Sequence, residues 1–158
     1  MRELFEVSEL VRIGVEDEKS GVAFYQKVAE KVSNDDLKKL FADLANQEKY
    51  HQKRFEQMLK ELGGHTQKEE YPGQYTNYLR ALTSERAFPD PDAAIRQADA
   101  IASDAEAVDL ASRFERDTLI LMNEMRSVLP VGDKSIIDEL VREEQQHLVS
   151  LADARRMV

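Results

Sequence analysis

Leu37-Lys-Lys-Leu-Phe41-Ala-Asp-Leu44-Ala-Asn-Gln-Glu48-Lys-Tyr-His51-Gln-Lys-Arg-Phe55 reads as an amphipathic helix with two polar residues on its apolar face. Positions 37, 41, 44, 48, 51, 55, 58 and 62 step by four and three, the spacing of one face of an α-helix. They are Leu37, Phe41, Leu44, Glu48, His51, Phe55, Met58 and Leu62. Six large apolar side chains send that face into a core, and Glu48 and His51 go with them. A carboxylate buried without a partner is prohibitively costly, so this helix predicts a compensating group.

The same steps near the C-terminus read Ile137, Leu140, Glu144, His147, Leu151 and Ala154, again with Glu then His in the middle. Residues at i and i+3 share a helix face, so each Glu-x-x-His aims both side chains at one place. Two further seams carry a single acid. One reads Val11, Val15, Glu18, Val22, Tyr25, Ala29 and Val32; the other, less regular, reads Val108, Ala111, Glu115, Leu119, Met122, Arg126 and Leu129. Other acids, such as Glu16, Glu30, Glu56, Glu124 and Glu143, fall off the seams and read as solvated faces.

A lone Glu-x-x-His is weak evidence, because 18 of 158 residues are Glu. Placement in a seam is the stronger signal, and no Lys or Arg occupies a seam centre to neutralise the acids. Four carboxylates carry −4 and two neutral imidazoles nothing, so two divalent cations bring the sum to zero. The halves also repeat. Leu40-Phe41, Leu44, Glu48 and His51 match Ile136-Ile137, Leu140, Glu144 and His147 at identical spacing. One helical hairpin used twice predicts one bridging and one terminal carboxylate per half.

Gly and Pro punctuate the chain near 63–64, 72–73, 89–91 and 130–132, leaving four long helices. These are expected at about 8–32, 35–62, 103–129 and 134–157. Ser33-Asn34-Asp35-Asp36 is a short link of N-cap residues, which forces an antiparallel pair. Ser103-Asp104-Ala105-Glu106 matches a capping box, and Val131-Gly132-Asp133 is read as the turn into the last helix. Residues 65–102, with His65 in a loop, form a crossover too long for a tight turn, with room for short helices near 74–84 and 92–102. Tyr71, Tyr75 and Tyr78 are read as packing this strap onto the bundle. The fold class is therefore all-α: a four-helix bundle of two antiparallel hairpins joined by a long crossover, in one domain spanning 1–158.

Composition narrows the partners. The net charge is −9 and the pI about 4.9, which disfavours nucleic acid and anionic membranes. There is no Cys, which removes thiolate metal sites and thiol nucleophiles. No apolar run has the length of a signal peptide or a membrane span, so a cytoplasmic protein is expected.

One Glu from each of two helices plus a Glu-x-x-His from each of the other two resembles the dimetal signature of ferritin-like proteins. In detail the chain is similar to the rubrerythrin-related branch. The resemblance rests on Glu18-Lys-Ser-Gly-Val-Ala-Phe-Tyr25, on Leu37 to His51, on Phe114-Glu115-Arg-Asp-Thr-Leu, and on Leu140-Val-Arg-Glu-Glu144-Gln-Gln-His147. It implies two iron ions, with Mn or Zn as substitutes, held by Glu18, Glu48, His51, Glu115, Glu144 and His147. It implies an oxidoreductase that reacts Fe²⁺ with O₂ or peroxide, with Tyr25 bonding a ligand or supplying an electron. An iron-storage protein and a diiron oxygenase acting on an organic substrate are the alternatives. A homo-oligomer is expected, a dimer before a hollow shell. Two departures stand out. The Cys₄ rubredoxin domain of true rubrerythrins has no counterpart here, which implies either a separate electron donor or no need of one. Thr118 stands where rubrerythrins carry an additional acid.

Overall fold

Helix propensity, caps and two apolar ends around a polar middle build the architecture. The computed structural model describes residues 4–63, 66–68, 71 and 73–158. In chain order the elements are β1 (Leu4–Glu6), α1 (Val7–Lys31), α2 (Asp35–Leu62), β2 (Thr66–Lys68), α3 (Gln74–Ser84), α4 (Pro91–Ala100), α5 (Asp104–Val128) and α6 (Val131–Arg155). The helices α1, α2, α5 and α6 form the bundle; α3 and α4 belong to the crossover. His65 and its expected loop lie outside the described residues.

The caps explain the boundaries. Asn34 Oδ1 accepts from the Leu37 amide at 3.0 Å and starts α2. Gly63, at φ 58°, ends it in a conformation that a Cβ would strain. Ser103 Oγ accepts from the Glu106 amide, while Glu106 Oε2 reaches back to the amide of Ala102. The α1–α2 turn is tied to this start, because the amides of Ser33 and Asn34 both donate to Asp104.

Two expectations are corrected and one small element is added. Helix α6 begins at Val131, so Val131-Gly132-Asp133 forms its first turn rather than a preceding link. Pro130 is extended (ψ 152°) and acts as the N-cap, and Leu129 before it is extended too, as a residue preceding Pro prefers. In α5 the buried stripe runs through Ala111, Phe114, Glu115, Thr118, Met122 and Met125. Leu119 is only partly buried, and Arg126 pairs with Asp138 on α6 at 2.6 Å. A strict four-and-three count drifted off the face that a 3.6-residue helix presents. A short antiparallel ribbon, β1 with β2, joins the start of α1 to the end of α2; three residues per strand are too few to show a period in sequence.

The core has two apolar layers. One contains Val7, Leu10, Val11, Phe55, Met58, Met122, Met125, Ile137 and Leu140; the other contains Phe24, Tyr25, Phe41, Leu44, Ala111, Phe114 and Leu151. Each large side chain so buried contributes roughly 1.5–3 kcal/mol. The acids and histidines lie in the same helices between these layers.

The crossover packs as a strap. Tyr75 and Tyr78 donate to Glu124 on α5, at 2.8 and 3.1 Å, so Glu124 is a docking residue and not merely a solvated acid. Tyr71 departs from expectation, being 62% exposed. Phe88 inserts against Phe24 and Phe114, with ring centroids 4.6 and 5.1 Å apart, and the Ala87 amide donates to Asp117 on α5.

Candidate metal centre

Each bundle helix delivers one buried acid to the polar layer: Glu18 from α1, Glu48 from α2, Glu115 from α5 and Glu144 from α6, all fully buried. His51 and His147 arrive one turn after Glu48 and Glu144. The structure thus gathers all six residues singled out in the sequence, in two groups of four. Glu18, Glu48, His51 and Glu144 offer ligand atoms within 4.8 Å of one another, as do Glu48, Glu115, Glu144 and His147.

The shared members are Glu48 and Glu144, and their oxygens are divided between the groups. Glu144 Oε1 lies 2.7 Å from His51 Nδ1 and its Oε2 2.8 Å from His147 Nδ1. Glu48 Oε2 lies 3.7 Å from His51 Nδ1 and its Oε1 3.3 Å from His147 Nδ1. Glu18 belongs to the His51 side, at 3.7 Å, and Glu115 to the His147 side, at 3.4 Å. The imidazoles stack at 5.6 Å between centroids.

The donor atoms face one another. Apart from the cluster's own members, no hydrogen-bond partner among the described residues reaches either oxygen of Glu18, Glu48 or Glu144, Glu115 Oε2, or either Nδ1. Acceptors packed against acceptors need a cation or protons between them, because orphaned buried charges cost several kcal/mol each. Burial and the charges of Glu48 and Glu144 lift the Glu18 and Glu115 carboxyls well above their ordinary range. Burial alone would lower the imidazolium pKa values, but the surrounding carboxylates outweigh it and raise both His51 and His147 strongly. Without metal, these shifts favour protons on Glu18, Glu115 and the two imidazoles, whereas, despite burial, hydrogen bonds from their neighbours hold Glu48 and Glu144 below the ordinary carboxyl range.

The structure adds residues that the sequence did not single out. His51 Nε2 lies 2.6 Å from Glu143 Oε2, so Glu143, though partly exposed, is a partner of the cluster. His147 Nε2 lies 2.7 Å from Gln47 Oε1. Asp17, buried beside Glu18, accepts from Thr118 Oγ1 at 2.6 Å and pairs with Arg86 of the strap at 3.7 Å. Burial lifts the Asp17 carboxyl to about 7, against the pull of Thr118 and Arg86. A cation does therefore reach the polar layer, from the crossover rather than from a seam. Tyr25 donates to Glu115 Oε1; burial and the Glu115 charge raise its pKa well above the ordinary phenol value, so it keeps its proton.

The Rubrerythrin family model matches residues 9–154. The chain belongs to the rubrerythrin family. Among solved structures, a Thermotoga maritima protein described as ferritin-like and diiron-carboxylate superposes with a TM-score of 0.73. It is 22% identical, covering 99% of this chain and 98% of that one. No protein of curated function matches. Family, bundle and buried Glu/His cluster agree on a dimetal carboxylate protein. No helix among the described residues is long and apolar enough to cross a membrane.

Proposed function

We propose that this rubrerythrin-family protein is a diiron oxidoreductase that oxidises Fe²⁺ with peroxide or O₂. The observation that carries the reading is the division of Glu48 and Glu144 between two histidine positions. Two ions that share carboxylates can act together on one small oxidant. Iron bound there would supply two electrons, one from each Fe²⁺, to a peroxide that takes up two protons and leaves as two waters.

The chain's own part is to bind, orient and exclude water. Glu18 and His51 would hold one position, Glu115 and His147 the other, with Glu48 and Glu144 bridging. Imidazole and carboxylate accept Mn²⁺ and Zn²⁺ as well, so the donor set alone does not select iron. Tyr25 would fix Glu115 through its hydroxyl. The acids are fully buried, and Tyr25, Phe41 and Phe114 wall the adjoining layer. This enclosure favours a small oxidant such as peroxide or O₂ over a bulky organic substrate. Re-reduction of the oxidised centre would need an electron donor.

The test is metal analysis of the purified protein, followed by anaerobic loading with two equivalents of Fe²⁺ and exposure to H₂O₂ and to O₂. Rapid formation of ferric absorbance is expected. Failure of both oxidants to oxidise bound iron would remove the redox reading and leave a metal-binding protein.

A further inference from the structure

The two halves of the centre are built alike, and one difference between them stands at the back of each histidine. His51 on α2 turns Nδ1 toward the cluster and Nε2 toward Glu143, the residue just before Glu144 on α6. His147 on α6 turns Nδ1 toward the cluster and Nε2 toward Gln47, the residue just before Glu48 on α2. Each Glu-x-x-His helix thus supplies the residue that holds the other helix's histidine. For Nδ1 to present a lone pair inward, Nε2 must carry the hydrogen and donate it outward. With metal bound, both histidines would take the same tautomer, but one would donate to a carboxylate and the other to an amide.

That difference is chemical. A carboxylate accepting from Nε2–H draws the proton outward and leaves Nδ1 a stronger electron donor. An amide carbonyl does this far less. Such outer partners change metal affinity by about 10- to 100-fold. Side-chain exposure of 36% weakens the through-space charge of Glu143, but the direct hydrogen bond at 2.6 Å survives salt. A second observation points the same way. On the His147 side, Glu115 Oε1 already accepts from Tyr25, which lowers its donor strength. On the His51 side, no donor among the described residues other than the cluster's own members reaches either Glu18 oxygen.

We propose that the two metal positions are unequal, that the position of His51 fills first, and that Glu143 is the positioning residue responsible. This rests on the dimetal reading above. The inequality gives the centre an order of assembly: a firmly held ion on the His51 side, and a more weakly held one beside Tyr25.

The test uses Co²⁺, which is loaded anaerobically and does not turn over with the oxidant. Crystals of the metal-free protein are given one equivalent, and anomalous diffraction at the cobalt edge reads the occupancy of each position. The His51 position should exceed the His147 position by about tenfold or more. Glu143→Gln should bring the two near parity, and Gln47→Glu should raise the His147 position at the expense of the His51 position, again moving the ratio toward parity. Equal occupancy in the unaltered protein would overturn the proposal, as would an unchanged ratio in Glu143→Gln. If neither position takes cobalt at two equivalents, the dimetal reading fails and this inference with it. A purely structural role for Glu143 predicts a different result, namely a lower melting temperature of the metal-free protein with both positions weakened alike. Gln47→Glu keeps the question open to refutation should Glu143→Gln fold poorly.

Discussion

Thr118 Oγ1 donates a 2.6 Å hydrogen bond to Asp17 Oδ2, with both side chains buried beside the carboxylate cluster. Arg86 approaches the other oxygen of Asp17 at 3.7 Å. The place where rubrerythrins carry an additional acid is therefore used to satisfy a buried carboxylate and to tie the crossover to the bundle. Removing one partner of such a group costs about 1–3 kcal/mol. Thr118→Val should lower the stability of the metal-free protein by that amount in urea unfolding while leaving metal stoichiometry at two. An unchanged midpoint would mean that the hydroxyl does not matter to Asp17.

Gly21 and Gly14 both lie on the buried face of α1, and they should respond differently to Ala. A Cβ at Gly21 would stand 2.7 Å from Phe114 Cζ and 3.4 Å from Glu48 Cγ. The ring is locked between Tyr25 and Phe88, so Gly21→Ala should cost about 1–3 kcal/mol and disturb the bridge. At Gly14 the obstacle is the tip of Met125, a flexible side chain. Gly14→Ala should be much milder, because helix propensity returns up to about 1 kcal/mol. Thermal melts of the two variants side by side check the order.

Terminal and bridging acids should differ in the metals they retain. Glu18→Gln removes a donor from the His51 position alone, so the protein should keep about one ion. Glu144→Gln withdraws from both positions and should keep close to none. Elemental analysis after equilibration with equal metal decides between them. Metal-dependent stabilisation should follow: at a hundred times Kd each site adds about 2.7 kcal/mol, visible as a rise in melting temperature that Glu144→Gln lacks.

Metal loading should release protons and weaken in acid. The Glu18 and Glu115 carboxyls stand above their ordinary range without metal, mainly through burial, and the histidines hold protons as well. Each incoming cation must displace them, so affinity rises with pH and falls as pH falls. Calorimetry of Zn²⁺ binding in buffers of different ionisation enthalpy counts the protons released. A count of zero at neutral pH would contradict the protonated metal-free centre.

Tyr25→Phe separates binding from reaction. The hydroxyl touches Glu115, not the histidines, so both ions should still bind. If Tyr25 delivers a proton or electron, single-turnover oxidation by H₂O₂ should slow on the order of a hundredfold. An unchanged rate would reduce Tyr25 to a packing residue.

All six cluster residues were legible because a helix converts spacing into direction: Glu48 and His51, or Glu144 and His147, share a face whatever surrounds them. Their apolar neighbours announced that this face is buried, and charge balance announced the cations. The α5 seam was legible only in part. Its true stripe passes through Thr118 and Met125, and sequence alone could not say whether Leu119 or Thr118 faces inward, because both lie within one residue of the line.

The sequence by itself determined the bundle, the antiparallel hairpins and the two Glu-x-x-His helices, since these follow from periodicity, caps and short links along one chain. Only the tertiary structure decided the partners across helices. Glu143 lies one residue from Glu144 yet holds His51, 92 positions away. Gln47 does the same for His147, and Arg86 crosses from the strap to Asp17. No local pattern encodes such contacts, because a residue at the edge of a seam points to solvent or to a neighbour according to where the next helix lies. The Glu/His cluster was written in the register of single helices, and the difference between the partners of its two histidines in how those helices meet.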